Sequence, residues 1–211
     1  MVDAPRFPPW LPNHLENRKP KAFMETPDYG QGSFLIANPV LPDPNFSRTV
    51  VLLCNHNDEG SFGLVVNRKA EFDANEIFPE IDLLKDYKGD IYIGGPVQQS
   101  QVFYLVQCEE ELPGLEKVCP NVHLGMSWEH LEDVYARLKD PKEDLRFFIG
   151  YSGWGPGQLA GEMEQRSWLI HGATSECVFS TDPDHLWHEV VRSMGREYEY
   201  LLNAPVDPRM N

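Results

Sequence analysis

Gly150-Tyr-Ser-Gly-Trp-Gly-Pro-Gly-Gln-Leu159 is the stretch of this chain that decides its fold. Before it runs an apolar segment, Leu145 to Tyr151, with the composition of a strand; from Pro156 to about Gln165 the residues suit a helix. A strand passing through glycines into a helix has the layout of an anion-binding turn. The first amides of a helix lack partners and sit at the positive end of its dipole, and glycine lets a ligand approach them. No acid occupies the first turn, and Glu162 is the earliest, so the helix terminus reads as uncompensated. The same residues also explain a turn without any ligand. Gly155 serves as N-cap, Pro156 suits the first helical position, and Gln158 at the third reaches back to the cap. Trp154 reads as a core or lid aromatic. No Lys-Ser/Thr pair follows the glycines, which excludes a Walker loop.

Upstream, Ser33 to Ala37 reads as the first strand, and Asn38 to Phe46 as an irregular loop because its prolines cannot donate to a ladder. Arg48 to His56 and Ser61 to Asn67 are β-branched and apolar. Asn57-Asp-Glu-Gly60 joins them, a polar connection ending in glycine and hence a hairpin. A short helix is expected around Ala74 to Phe78, ended near Pro79, then strands over Asp90–Ile93, Gln101–Gln107 and Val122–Leu124. Ser127 caps a helix to about Lys139 with Trp128, Leu131, Tyr135 and Leu138 on one face. Downstream, strands are expected near Ser167–His171 and Glu176–Ser180. The last helix is capped by Thr181 or Asp182, has Pro183 at its first position, buries Leu186, Trp187, Val190, Val191 and Met194, and stops at Gly195. Strands and helices interleave irregularly, which predicts an α+β fold, a mixed sheet flanked by helices. Residues 1–29 read as a proline-rich arm that Phe7, Trp10 and Leu11 could dock, and residues 30–211 as a single domain.

The chain has 211 residues, 41% of them hydrophobic, enough for a substantial core. Mean hydropathy is −0.43, and no apolar run nears the ~20 residues that span a bilayer. The N-terminus lacks the apolar core of a secretory signal, so a cytoplasmic, membrane-free protein is expected. Cys54, Cys108, Cys119 and Cys177 are widely spaced and predict free thiols with no metal or redox role. Thirty-three acids against 18 bases give a formal charge of −15. That charge disfavours non-specific nucleic acid and anionic membranes, since affinity for polyanions comes from Lys and Arg. The bases are scattered, and Arg18-Lys19-Pro20-Lys21 is the nearest thing to a cluster.

Three constellations carry possible chemistry. Cys54 and His56 are two apart, which on a strand places them on one face as a conceivable nucleophile pair. His185 and His188 are three apart on a helix and could share a metal with His171 or Asp184, although surface histidines at this spacing are common. Arg48 and Arg68, at adjoining ends of the hairpin strands, either pair with carboxylates or form an anion site beside the glycine turn. No complete catalytic set, metal site or cofactor motif is present, so no cofactor is expected.

The glycine stretch resembles the signature of the YqgE/AlgH family, whose members carry a similar GY(A/S)GWGPGQL run. Leu35-Ile-Ala-Asn-Pro39, Asp43-Pro-Asn-Phe-Ser-Arg-Thr-Val-Val51, His56, Gly63-Leu-Val-Val-Asn-Arg68, Gly94-Gly-Pro96 and Ala204-Pro-Val-Asp-Pro208 are similar to its further motifs, over roughly Gly30 to Asn211. The resemblance implies a bifurcated, partly barrel-like sheet surrounded by helices. It implies little chemistry, because the family has no established enzymatic activity. The regulator label of AlgH-type members comes from alginate regulation, and nothing here resembles a helix-turn-helix reader. Lys69 stands where members often have proline, and the arm is longer than in compact members.

The resulting expectation is a non-catalytic binding or regulatory protein. Its site would gather Asp43, Asn45, Arg48, His56, Asn67, Arg68, Gly94, Gly95, Gly153, Trp154, Gly155, Gly157 and Gln158 around a small anion or a protein partner. An enzyme acting on a small anionic substrate, with His56 as its titratable group, and a sequence-specific nucleic-acid-binding transcriptional regulator are the alternatives. A homo-oligomer is left open.

Overall fold

The computed structural model describes residues 29–39, 41 and 43–204; the expected arm, apart from Tyr29, lies outside the described residues. Nine strands form one curled sheet. They are β1 (Ser33–Ala37), β2 (Val50–Asn57), β3 (Gly60–Val65), β4 (Ile91–Ile93), β5 (Val97–Gln107), β6 (Glu116–Cys119), β7 (Val122–Gly125), β8 (Leu145–Trp154) and β9 (Trp168–Gly172). Their order is β6-β7-β5-β8-β3-β2-β1-β9, with β4 added beside β8. All pairings are antiparallel except β4 with β8. The sheet curls until β6 returns to the start of β1, where Gln31 Nε2 donates to the Lys117 carbonyl at 2.9 Å. The architecture is therefore α+β with a half-barrel sheet.

The sheet forks at β8. Its first half lies between β5 (Val106↔Leu145, Val102↔Ile149) and β4 (Ile91↔Phe147, Ile93↔Ile149). Its second half keeps a β5 pairing at Val97↔Tyr151 but exchanges β4 for β3 (Gly63↔Ser152, Ser61↔Trp154). Gly150 sits between the halves at φ +67°, and a Cβ there would stand 2.7 Å from the Gly95 carbonyl oxygen. Only glycine takes that backbone shape in that space without strain. Gly94 is the wedge in the fork. Its N–H donates to the Ile149 carbonyl at 2.8 Å and its own carbonyl accepts from Val65 N at 2.8 Å. A Cβ on Gly94 would be 2.3 Å from the Gly150 oxygen, so the close backbone approach explains this glycine.

Both faces of the sheet are covered, which is why β1 and β2 read as unbroken apolar runs rather than alternating ones. Phe34, Ile36, Val50, Leu52 and Cys54 enter the main core; Leu35, Ala37, Val51 and Leu53 enter another on the opposite face. The main core is closed by α5 (Ser175–Phe179) and α6 (Pro183–Ser193), with Trp187 Nε1 donating to the Ala37 carbonyl at 2.9 Å. A third cluster lies under α1 (Ala74–Ile77) and α2 (Leu131–Tyr135); α3 (Pro141–Asp144) precedes β8 and α4 (Gln158–Glu164) follows it. No helix among the described residues is long and apolar enough to cross a membrane.

Most elements fall where expected, including the hairpin and the Asp182-capped, Pro183-initiated α6. Four differ. Glu176–Ser180 is not a strand but lies in and just after helix α5, because the Thr174 hydroxyl accepts from Cys177 N at 3.2 Å and caps a turn there. The helix expected over Ser127–Lys139 is a 3-10 turn, Trp128–His130, followed by the short α2. The helix after the glycines begins at Gln158, not Pro156, since pairing with β3 holds the backbone extended through Trp154. β6 and a 3-10 run over Arg196–Asn203 were not foreseen.

Candidate functional site

The glycine turn is satisfied from within. Gly157, at φ +73°, is the helix N-cap in place of Gly155. The expected reach-back of Gln158 is present: its Oε1 accepts from Gly155 N at 3.1 Å. Its Nε2 donates to Glu162 Oε1 at 3.1 Å, while Oε2 of the same carboxylate accepts from Trp154 Nε1 at 2.9 Å and Trp168 Nε1 at 2.7 Å. Phe46 packs on both indoles, with ring centroids 6.4 and 5.3 Å away. One carboxylate therefore ties the turn, the helix and the neighbouring strand together. Helix α4 is seven residues long, too short to build a strong N-terminal dipole.

Asp43, Asn45, Arg48, Asn67 and Arg68 gather at the loop before β2. The Asp43 carboxylate accepts from Asn45 N at 2.8 Å. Asn67 Oδ1 accepts from Val50 N at 2.8 Å, and its Nδ2 donates to the Arg48 carbonyl at 2.9 Å. Arg68 donates to the carbonyls of Pro44 and Ser47 at 3.3 and 3.4 Å. The two guanidinium groups do not converge on a common anion. Arg48, at φ +50°, turns toward α6: Nη1 meets His188 Nε2 at 3.0 Å, Nη2 donates to the Ala204 carbonyl at 2.7 Å, and the group lies 5.2 Å over the Trp187 ring. Burial lowers the pKa of both arginines, and for Arg68 the nearby Asp43 opposes that shift. Burial, then the charges of Arg48 and Arg192, lowers that of His188; because a guanidinium can only donate, His188 Nε2 is the acceptor in this contact.

The Cys54–His56 pair does not form. The register shifts between Leu53 and Asn55, leaving Cys54 as the unpaired residue of a bulge; its thiol is buried, and desolvation raises its pKa. His56 is exposed, its ring 5.0 Å from that of Tyr29 and its Nδ1 2.7 Å from Ser61 Oγ. The histidines proposed to share a metal have separate partners, His185 with Asp182, His188 with Arg48 and His171 with Ser193. Among the described residues no group of three or more His, Cys, Asp or Glu could hold a metal ion. All four cysteines are free.

Where the fork opens, the end of the main core meets solvent as a cleft of about 670 Å3. From the residues expected at the site it takes Gly153, Trp154 and Gly155; Asp43, Asn45, Arg48, His56, Asn67, Arg68, Gly94, Gly95, Gly157 and Gln158 are not on its walls. Its floor is aromatic: Phe62, Phe103 and Tyr151, with ring centroids 5.0 to 5.8 Å apart. Asn55, Ser61 and Gln101 add polar groups, Leu124 and Met126 apolar ones, and Glu59 and Glu116 stand on the walls. Tyr151 lies inside the glycine signature and could have been picked from it. The others carry no local signal, since β2, β3, β5, β6, β7 and β8 each contribute only one or a few residues.

A forked half-barrel sheet, helices on both faces and an open aromatic cleft at the fork define an α+β class with a specific topology. A sequence profile described as AlgH-like matches residues 34–199. A UPF0301 protein of Cytophaga hutchinsonii is 37% identical over 182 residues, covering 86% of this chain and 98% of the relative. Another, from Chlorobaculum tepidum, is 38% identical over 180 residues, covering 85% and 95%. The solution structure of the AlgH protein from Pseudomonas aeruginosa superimposes with a TM-score of 0.66 at 30% identity, covering 85% of this chain and 95% of that one. A crystal structure of a Corynebacterium diphtheriae protein shares the fold, with a TM-score of 0.69 at 24% identity over 86% and 95% of the two chains. The chain belongs to the AlgH-like family.

Proposed function

We propose that this chain is a non-catalytic binding protein whose ligand occupies the cleft at the fork, and that any regulatory role is exerted through that ligand or a protein partner. The observation carrying this reading is the cleft itself, an open volume of about 670 Å3 over partly buried aromatic rings, in the size range of small-molecule sites. Direct reading of DNA is opposed by the net charge of −15. The test is a thermal-shift screen of a ligand library on the full chain, because a ligand that favours the native state raises its melting temperature by mass action. Met126, 50% exposed on the wall, gives the control. Met126→Trp is expected to fill the cleft, abolish the shift by every true ligand and leave the unliganded melting temperature unchanged. Hits whose shift survives that substitution would place binding elsewhere and end the proposal.

One observation favours a second reading, an enzyme. Ser61 is on the cleft wall, and its Oγ lies 2.7 Å from His56 Nδ1, the spacing of a nucleophile and its base. The contact is also what a cross-strand Ser–His pair makes at the end of a hairpin, and no carboxylate among the described residues orients the ring, which packs on Tyr29. A fluorophosphonate probe separates the two: labelling of wild type that is lost in Ser61→Ala establishes the enzyme, and absence of labelling leaves the binding reading.

A further inference from the structure

We infer that the ligand of the cleft is an organic cation, an ammonium or guanidinium group on an apolar body, seated on the faces of Phe62 and Tyr151 between Glu59 and Glu116. This rests on the cleft being the binding site, and it specifies what binds there.

The charge of the walls is one-sided. Among the described residues, Glu59 and Glu116 are the charged groups of the lining, with no Lys, Arg or His beside them. Neither carboxylate ion-pairs with a base among the described residues. Lys117 does not neutralise its neighbour, because successive residues of a strand take opposite faces. Glu116 pairs in register with Leu124, which lines the cleft, whereas Lys117 pairs with His123, which does not. An anion entering here would meet two like charges and, among the described residues, no cationic donor. A wholly apolar ligand would desolvate both carboxylates without compensation.

The floor has complementary chemistry. Phe62 contacts Phe103 and Tyr151 at centroid distances of 5.0 and 5.2 Å, and Phe103 lies 5.8 Å from Tyr151, so the rings form one continuous surface. Phe103 is buried behind, while Phe62 and Tyr151 keep partial exposure toward the opening. The face of an aromatic ring carries negative potential and attracts a cation placed over it. Carboxylates flanking such a floor add long-range attraction, and the acidic protein as a whole concentrates cations near its surface. Gln101 supplies an amide oxygen for an N–H donor. Leu124 and Met126 supply apolar wall, so the cation needs a hydrocarbon body to fill the remaining volume.

Three probes of one shape test the inference on the full chain by titration calorimetry: phenylethyltrimethylammonium, its uncharged tert-butyl isostere and phenylpropionate. The ammonium compound should bind at least tenfold more tightly than the isostere, and phenylpropionate should not bind up to about 10 mM. Glu59 and Glu116 are exposed, so Glu59→Gln and Glu116→Gln leave the fold intact. Each should weaken the ammonium compound several-fold, and the double variant about tenfold or more. Phe62→Leu should weaken it about tenfold while keeping a cooperative melt. Equal or tighter binding of the isostere or the anion would overturn the inference, as would undiminished ammonium binding in the double glutamine variant. If the ammonium compound fails to bind while other library ligands shift the melt in a Met126-dependent way, the charge assignment falls and the binding site stands. If no ligand of any charge shifts the melt, the binding site falls with it.

Discussion

Replacing Glu162 by alanine should cost the protein a large part of its stability, although Glu162 is only partly buried and contributes to no ion pair among the described residues. Its Oε2 accepts two indole N–H groups, from Trp154 at 2.9 Å and Trp168 at 2.7 Å, and those indoles belong to residues 6% and 3% exposed. A buried donor left without a partner costs about 1–3 kcal/mol. Two of them, less what water recovers by entering the vacated space, give about 3 kcal/mol. Against a total of about 5–15 kcal/mol that is a severe loss. In urea, with a slope of about 2–3 kcal/mol per molar, the midpoint should fall by about 1–1.5 M. Glu162→Gln should be milder, about 1–2 kcal/mol. Its carbonyl can still accept both indoles, but its amide then faces the Gln158 Nε2 donor, which cannot turn away without releasing Gly155 N. Exposed Glu164→Ala is the control and should stay within about 0.5 kcal/mol. The assay is urea unfolding followed by tryptophan emission and by far-UV circular dichroism together. A Glu162→Ala variant within about 0.5 kcal/mol of wild type would show that water or a rotated side chain satisfies the indoles, and that the carboxylate is not the tie of the signature turn.

His123 gives a pH prediction. It is 2% exposed, its Nδ1 has no hydrogen-bond partner among the described residues, and burial, with Lys117 adding to it, depresses its pKa, Glu111 opposing. The unfolded chain therefore binds this proton more readily, so the histidine's contribution is intact above the unfolded pKa of about 6.5 and is lost as pH falls below it. Melting temperature should drop between pH 7.5 and 5, and His123→Leu should flatten that drop; an unchanged profile would refute the assignment. Gly150→Ala should destabilise by about 2 kcal/mol or more, from a strained backbone at φ +67° plus the clash with the Gly95 oxygen 2.7 Å away. A calorimetric melt within a degree or two of wild type would show that the fork does not require glycine.

Local signals were enough for part of this structure. The hairpin came from its polar, glycine-ended turn and α6 from its Asp182–Pro183 start, because each is fixed by residues adjacent in the chain. Glu116–Cys119 had no such signal: it is short and half polar, and it is a strand only because β7 pairs with it. Glu176–Ser180 read as a strand because the short apolar run Cys177-Val178-Phe179 does not distinguish the two periods; Val178 and Phe179, buried side by side, suit a helix turn against the core. At the site, Arg48 and Arg68 do lie at neighbouring strand ends as the hairpin requires. Their side chains part because Arg48 finds its partner 140 residues away, on a helix whose position no hairpin argument fixes.

The signature and the cleft therefore have different physical roles, though they share Tyr151, Gly153, Trp154 and Gly155. Gly150 bends β8, Gly94 lets another backbone fill the bend, and Trp154, Gln158 and Glu162 lock the turn that follows; every one of these groups is spent on the fold. Because β8 changes partners at that bend, the sheets on either side diverge and the end of the main core is left open. The residues then free to meet a ligand are those projecting into the gap from the strands it separates. Among them are Phe62 on β3 and Glu116 on β6, neither of which belongs to the glycine stretch. Substitutions in the signature should change stability first and binding only as a consequence, whereas substitutions at the exposed Glu59 and Glu116 should change binding at nearly constant stability. That separation follows from geometry, since a residue whose polar atoms are paired inside the turn has none left to offer to the cleft.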